Sequence, residues 1–322
     1  MAPNPYTATR LMPETVEKSI KHIQWNFRDR EIVVLTDDPK QNFEGLRVVD
    51  YSAGETFDFD ACDMDSTIFI YAFNFDSTGK PVAMEIIRRR GKFAPIRQVH
   101  PTARIYHVDE RIRSAFTAEF DHQQEAGFSK WNSDFDNIAQ ALILTRNLPG
   151  AYVEVGAFQG SSGCAALAAM QAVGIERPCF FLDVFDGFEY EAAKVSADAS
   201  WAGTHKTDGM ETVASRLKRF ETLGRPVHVV RNNIIEDDLP PGTEQIAVAN
   251  LDVDIYEGVR DGLAKLAPRI CVGGILIVED PGHTPWLIGA RIALDEWLET
   301  PAGKNFMPLM MESGQTLLIR LS

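Results

Sequence analysis

Residues 151–163 read AYVEVGAFQGSSG and run directly into the small-residue segment CAALAAMQAVG (164–174). An apolar run rich in β-branched residues, then a turn with two spaced glycines, then alanines without β-branching, is the pattern of a buried strand, a tight loop and a close-packed helix. Gly156 and Gly160 let the backbone approach a ligand, and a helix starting at Ser161 presents unpaired N–H groups to it. The turn lacks the G-x-G-x-x-G spacing of dinucleotide folds, and it lacks the G-x-x-x-x-G-K-[ST] of a phosphate cradle. It reads instead as the first strand–loop–helix of an α/β sheet serving a different ligand.

Working outward, the same alternation continues. CFFLDVF (179–185), VHVVRN (227–232), QIAVANLDVD (245–254) and GGILIVED (273–280) read as strands. The segments METVASRLKRFETLG (210–224), VRDGLAKLAPRI (259–270) and WLIGARIALDEWLE (286–299) read as helices between and after them. FMPLMMES and QTLLIRLS close the chain as a hairpin near Gly314. This implies a doubly wound, mainly parallel sheet with one antiparallel strand near its edge. Upstream, EIVVLT (31–36), LRVVDY (46–51), TIFIYAF (67–73) and ARIYHV (103–108) alternate with helical stretches at 13–28, 81–90 and 109–124. They suggest a smaller α/β domain of mixed strand direction, with no motif that carries chemistry. The polar stretch HQQEAGFSKWNSD (122–134) divides the chain into an auxiliary domain, 1–128, and a second domain, 129–322.

Composition narrows the function. The 322 residues carry 32 Lys+Arg against 46 Asp+Glu, a net charge of −14, and the one short basic cluster is Arg88-Arg89-Arg90. That balance argues against nucleic acid as partner. No run approaches the ~20 apolar residues of a membrane span, and the start has no basic n-region followed by an apolar core. Cys62, Cys164, Cys179 and Cys271 lack metal-ligand spacing and read as reduced thiols in a cytoplasmic protein.

The acids carry the chemistry. Asp183 ends the second strand of the second domain, where a carboxylate accepts two ribose hydroxyls. Asp252 ends one later strand and Glu279-Asp280 the next, so their side chains meet near the glycine loop. Three hard oxygen ligands of this kind suit Mg²⁺ or another divalent cation that keeps some waters. Asp254 points the same way as Asp252 if the strand persists, and it is a candidate general base; His283 is the alternative. The plainer readings are helix caps and turn formers: Asp254 capping a helix near 257, Asp280 opening the Pro281-Gly282 turn. The long stretch 189–210, EYEAAKVSADASWAGTHKTDGM, sits between a strand and a helix, has weak periodicity and reads as a lid in which Trp201 covers the ligand.

In order, LPGAYVEVGAFQG, LDVFDGF, SWAGTHKTDGMETVASRLKRF, NNIIEDDLP, NLDVDIYEGVRDGLAKLAPRICVGGILIVEDPG and ALDEWL resemble the macrocin O-methyltransferase family, with features of the cephalosporin-hydroxylase-like branch. The resemblance covers roughly residues 135–300. It implies a class I methyltransferase fold, Rossmann-like, that binds S-adenosylmethionine and uses Mg²⁺ to orient a hydroxyl of a small-molecule acceptor such as a sugar or secondary metabolite. Carried over, Glu154, Gly156, Gly160, Ser161, Asp183 and Asp252 match cofactor contacts. Asp252, Glu279 and Asp280 match metal ligands, and Asp254 the base. Glu279-Asp280-Pro281 departs from the Asp-Asp-Tyr of many such methyltransferases, and Gly258 replaces a hydroxyl residue. The alternatives are a hydroxylase-like oxidoreductase, disfavoured because no two-histidine-one-carboxylate set is visible, and a non-catalytic binding subunit. A homo-oligomer, dimer or higher, is expected.

Overall fold

A computed structural model describes residues 20–21, 23–37, 43, 45–73, 76–93, 109–130, 134–198, 201–282 and 288–322. The chain divides into two compact units, 1–104 and 105–322.

The first unit contains β1 (Glu31–Thr36), β2 (Arg47–Asp50), β3 (Thr67–Ala72) and β4 (Lys92–Phe93) in the order β2-β1-β3-β4. All described pairings are parallel, not mixed. Both faces are covered, which is why these strands read as continuous apolar runs. Val33, Leu35 and Phe69 pack with Phe57, Val82 and Ile86 on one side, while Val34, Ile68 and Ile70 pack with Ile20, Ile23 and Phe43 on the other. The helix expected from residue 13 is described only from residue 20, and the strand expected at 103–108 lies outside the described residues.

The second unit opens with the helices Glu110–Ala126 and Asp134–Leu144. Its strands are β5 (Ala151–Val155), β6 (Cys179–Asp183), β7 (Val227–Arg231), β8 (Ile246–Leu251), β9 (Ile270–Val278), β10 (Phe306–Met310) and β11 (Thr316–Arg320). They lie in the order β10-β11-β9-β8-β5-β6-β7. β11 runs antiparallel to both neighbours, and the other pairings are parallel. This is the class I methyltransferase arrangement expected from the sequence.

The boundary moves relative to the sequence reading. The helix Glu110–Ala126 belongs to the second unit, because it buries Ile112 and Phe116 in that unit's core against the helix Ser161–Val173. Gln123 on its last turn also bonds to Ser161. The polarity of 122–130 accompanies the exposed last turn of that helix and its Gly127 cap.

Strand alternation sorts the site residues. Ala151, Val153 and Val155 face one core and Tyr152 the other, which places Glu154 on the Tyr152 side. From β5 the chain winds outward through β6 and β7, then returns to β5's other flank as β8 and β9. The reversal between β5 and β8 leaves a crevice at the carboxyl ends of the strands.

Candidate active site

A cavity of about 400 Å³ fills that crevice. Its floor is the glycine loop. Gly156 has φ +93°, and a Cβ there would stand 1.6 Å from the carbonyl oxygen of Asp252. No side chain fits, so the loop presses directly on the end of β8. Gly160, with φ +84°, precedes the helix Ser161–Val173 and faces Val213 and Leu217; it shapes the turn without lining the cavity. Ser161 does line it, with its hydroxyl donating to Gln123 Oε1 (2.5 Å) and accepting from the backbone N–H of Lys130 (3.1 Å).

Glu154 is displaced from the role the sequence suggested. It is fully buried and is not on the cavity wall; its carboxyl accepts from Tyr152 Oη (2.5 Å) and Ser162 Oγ (2.8 Å). Burial pushes its pKa from 4.5 up to about 7, against the pull of those two hydrogen bonds. It ties the loop to the sheet from behind.

Asp183 faces the cavity from the end of β6. Its Oδ2 accepts from Phe158 N–H (2.8 Å) and its Oδ1 from Phe185 N–H (2.6 Å). Burial raises its pKa even so. Phe158 and Phe185 both hold left-handed backbone, as do His205 and Asp254. Four strained non-glycine residues in or beside one cavity mark it as the functional region of this unit.

The acids converge as expected. Asp252, Glu279 and Asp280 each offer an oxygen, and these oxygens lie within 4.8 Å of one another. Burial, then Glu279 and Asp280, hold the Asp252 carboxyl well above its ordinary range. Burial, then Asp280 and Asp134, do the same to Glu279. Asp134, on the first turn of the helix Asp134–Leu144, hydrogen-bonds Glu279 and escaped the sequence reading because its acid lies far upstream of the strand motifs.

The profile of the macrocin-O-methyltransferase (TylF) family matches residues 130–300, just over half the chain. The chain belongs to that family. It is similar to the 8-demethyl-8-(2,3-dimethoxy-alpha-L-rhamnosyl)-tetracenomycin-C 4'-O-methyltransferase of Streptomyces olivaceus, 30% identical over 154 residues that make up 45% of this chain and 59% of that one. It is also similar to the demethyldecarbamoylnovobiocin O-methyltransferase of Streptomyces niveus, 26% identical over 171 residues, covering 50% of this chain and 64% of that one. The matches thus span about three-fifths of the length of these relatives. Among solved structures, the O-methyltransferase NovP shares the fold, with a TM-score of 0.51 and 19% identity over 66% of this chain and 97% of that one.

Within this family member, Asp254 reaches the cavity by a different route from the one expected. β8 stops at Leu251, so alternation along the strand does not direct Asp254; it sits at φ +58° with its N–H donating to Asp280 Oδ2 (2.9 Å). It does not cap the following helix. The N-cap of Tyr256–Leu266 is Ile255, and the Tyr256 N–H is taken by Asp198 Oδ2 (2.9 Å). Asp280 likewise lines the cavity and is not merely a turn residue. His283 lies outside the described residues.

The described residues of the stretch 189–210, 189–198 and 201–210, are folded and tethered. They hold a short helix, Glu191–Val195, and Ser196 Oγ bonds Glu257 Oε2 (2.6 Å) beside the Asp198 cap. Trp201 packs with Phe188, Tyr190 and Ile255, and Tyr190, Trp201 and His205 all line the cavity. Burial, then Lys130, lowers the His205 pKa and keeps the ring neutral near pH 7. Burial, then Asp254, raises that of Tyr190. Asn232 at the end of β7 also lines the cavity; its Oδ1 has no hydrogen-bond partner among the described residues, while its Nδ2 donates to Asp238 O (3.0 Å). The polar pair Asn232-Asn233 closing an apolar strand was the available signal for it.

Proposed function

We propose that this chain is a divalent-cation-assisted O-methyltransferase that moves a methyl group from S-adenosylmethionine to a hydroxyl of a small polar acceptor, a sugar or a sugar-bearing natural product. The observation that carries this reading is the placement of three carboxylates, Asp252, Glu279 and Asp280, on the same cavity as the glycine loop and Asp183. The relatives' names, which give a rhamnosyl tetracenomycin and demethyldecarbamoylnovobiocin, support the acceptor class.

The residues fit both groups. Gly156 leaves room for backbone approach, and each Asp183 oxygen, already holding one N–H, keeps a lone pair for a ribose hydroxyl. Asn232 offers an acceptor oxygen to an adenine amino group. Crowded, buried carboxyls raised in pKa by one another are the electrostatic setting that a hard cation relieves. When bound, the cofactor supplies the electrophilic methyl and the cation lowers the pKa of the acceptor hydroxyl.

The protein's own work is positioning and proton transfer. Asp252, Glu279 and Asp280 set where the hydroxyl oxygen sits, and Asp254 accepts its proton as the O–CH₃ bond forms and the S–CH₃ bond breaks. Asp280 holds Asp254 in place through its backbone N–H. Tyr190, Trp201 and His205 also wall the cavity, and their rings exclude water. Five carboxylates on the lining favour a neutral or cationic small molecule over nucleic acid. In this reading the enzyme works in the cytoplasm as a homo-oligomer.

Calorimetry with S-adenosylmethionine, with and without Mg²⁺, followed by an acceptor screen reading a methyl mass increment, tests the proposal. Absence of cofactor binding makes the fold a non-catalytic scaffold; turnover untouched by exhaustive chelation removes the cation.

A further inference from the structure

The charged side chains that line the cavity are unequally divided. Asp183, Asp252, Asp254, Glu279 and Asp280 are acids, whereas Lys130 is the one permanent cation among the described lining residues. Its ammonium has no carboxylate partner among them and stands 6.0 Å from the ring centroid of Phe158, on the glycine loop. It is close enough to His205 to depress that residue's protonation.

The position of Lys130 is built, not accidental. Its backbone N–H donates to Ser161 Oγ, which donates to Gln123 Oε1, whose own amide donates to Glu119 (2.7 Å) and to the Ser161 carbonyl (3.1 Å). Arg219 pairs with Glu119 at the far end of this chain of bonds. The lysine is thus pinned beside the first turn of the helix Ser161–Val173. The N-cap of that helix, Gly160, contributes no side-chain bond to its opening N–H groups. A lysine and a helix N-terminus together favour an anion.

We propose that Lys130 is the counter-ion of the cofactor's α-carboxylate. The inference rests on the S-adenosylmethionine reading above and deepens it. S-adenosylmethionine carries a single anionic group, and the acidic end of the cavity repels it. With the carboxylate at Lys130, the sulfonium is directed toward the Asp252–Asp254 end of the cavity, where the methyl group meets the acceptor. Lys130 therefore sets the orientation of the cofactor as well as its affinity.

The test compares two ligands on two proteins by calorimetry. One ligand is S-adenosylhomocysteine; the other is its decarboxylated form, which keeps the adenosine, thioether and amine. Lys130→Met leaves the backbone bond to Ser161 intact and exchanges an exposed side chain, so the thermal midpoint stays unchanged. It weakens S-adenosylhomocysteine about tenfold at low salt and the decarboxylated ligand by less than about twofold. The difference shrinks toward 1 M salt, because the lysine is exposed and screened. Equal losses for both ligands, or none for either, overturn the assignment while leaving the cofactor reading in place. A parent protein that binds no S-adenosylhomocysteine overturns both.

Discussion

Glu154, buried within β5, and Asp252, half-buried just beyond the end of neighbouring β8, solve the same electrostatic problem in opposite ways. Glu154 is met by donors: the Tyr152 and Ser162 hydroxyls close on its carboxyl. Asp252 is met by Glu279, Asp280 and Asp254, so its neighbours raise its pKa where those of Glu154 lower it. A buried carboxylate surrounded by donors is complete as folded. One surrounded by carboxylates is complete only with a proton or an external cation. On the proposed reading Glu154 belongs to the architecture and Asp252 to the chemistry, although the sequence presents both as acids at strand ends.

The largest effect that sharpens this contrast is on the cation. Asp252→Asn removes one of the three clustered negative charges and puts an amide where a carboxylate stood. Mg²⁺ binding by calorimetry and methyl transfer from labelled S-adenosylmethionine are both expected to collapse, with cofactor affinity changed far less. Glu154→Gln is expected to keep Mg²⁺ binding. Equal Mg²⁺ loss in the two variants would erase the distinction. Next in size, Asp254→Asn lowers turnover by a factor on the order of 10²–10⁴ while Mg²⁺ and cofactor still bind, as expected of a base and not of a ligand. Because Asp254 caps no helix, a change in the thermal midpoint of that variant would point to a structural role instead.

Much of this was legible before any coordinates. The runs at 151–155, 179–183, 227–231 and 246–251 announce themselves because most of their residues are apolar and pack into the cores on the two faces of the sheet. Asp183, Asp252, Glu279 and Asp280 follow from their positions at the ends of such runs. What stayed hidden depends on tertiary partners. Glu154 reads as a ligand contact until Tyr152 and Ser162 are seen to occupy it. Asp198 caps a helix 58 residues downstream, and Asp134 reaches Glu279 from another element. No local pattern encodes those pairings. Asp254 was assigned to the cavity on the assumption of a continuing strand, and it arrives there through a left-handed turn.

Stability against pH probes the Glu154 half of the comparison. Its folded pKa is raised from 4.5 to about 7, so the folded state holds a proton that the unfolded chain releases. The stabilisation is complete below about pH 4.5 and is lost as pH rises through 7, an effect of about 3 kcal/mol for a fully buried group. Denaturant unfolding between those pH values is expected to show a steeper decline for the parent than for Glu154→Gln. Asp252 and Glu279 titrate in the same direction in both proteins, so the difference isolates Glu154. Parallel curves would place its pKa near the ordinary range. Asp183→Ala comes next, removing a charge-assisted contact and weakening S-adenosylmethionine about tenfold. That variant also frees the Phe158 and Phe185 N–H groups, so an unchanged affinity would move the ribose away from β6.

The smallest effect concerns the wall formed by Tyr190, Trp201 and His205. Asp198 Oδ2 holds the Tyr256 N–H, and Ser196 holds Glu257, so the stretch 189–210 is fastened to the start of the helix that follows the Asp252 loop. A helix cap of this kind is worth about 1 kcal/mol. Asp198→Ala is therefore expected to raise local opening roughly fivefold without unfolding the sheet, whose core does not depend on it. Limited proteolysis reads this directly: cleavage within 189–210 is slow in the parent, faster in Asp198→Ala, and slowed again when cofactor and acceptor fill the cavity against Tyr190, Trp201 and His205. Faster cleavage in the variant with no protection by ligand would make the stretch a fixed wall and not a lid. Cleavage unchanged by the substitution would mean that packing of Trp201 against Phe188 and Ile255, not the Asp198 cap, holds it closed.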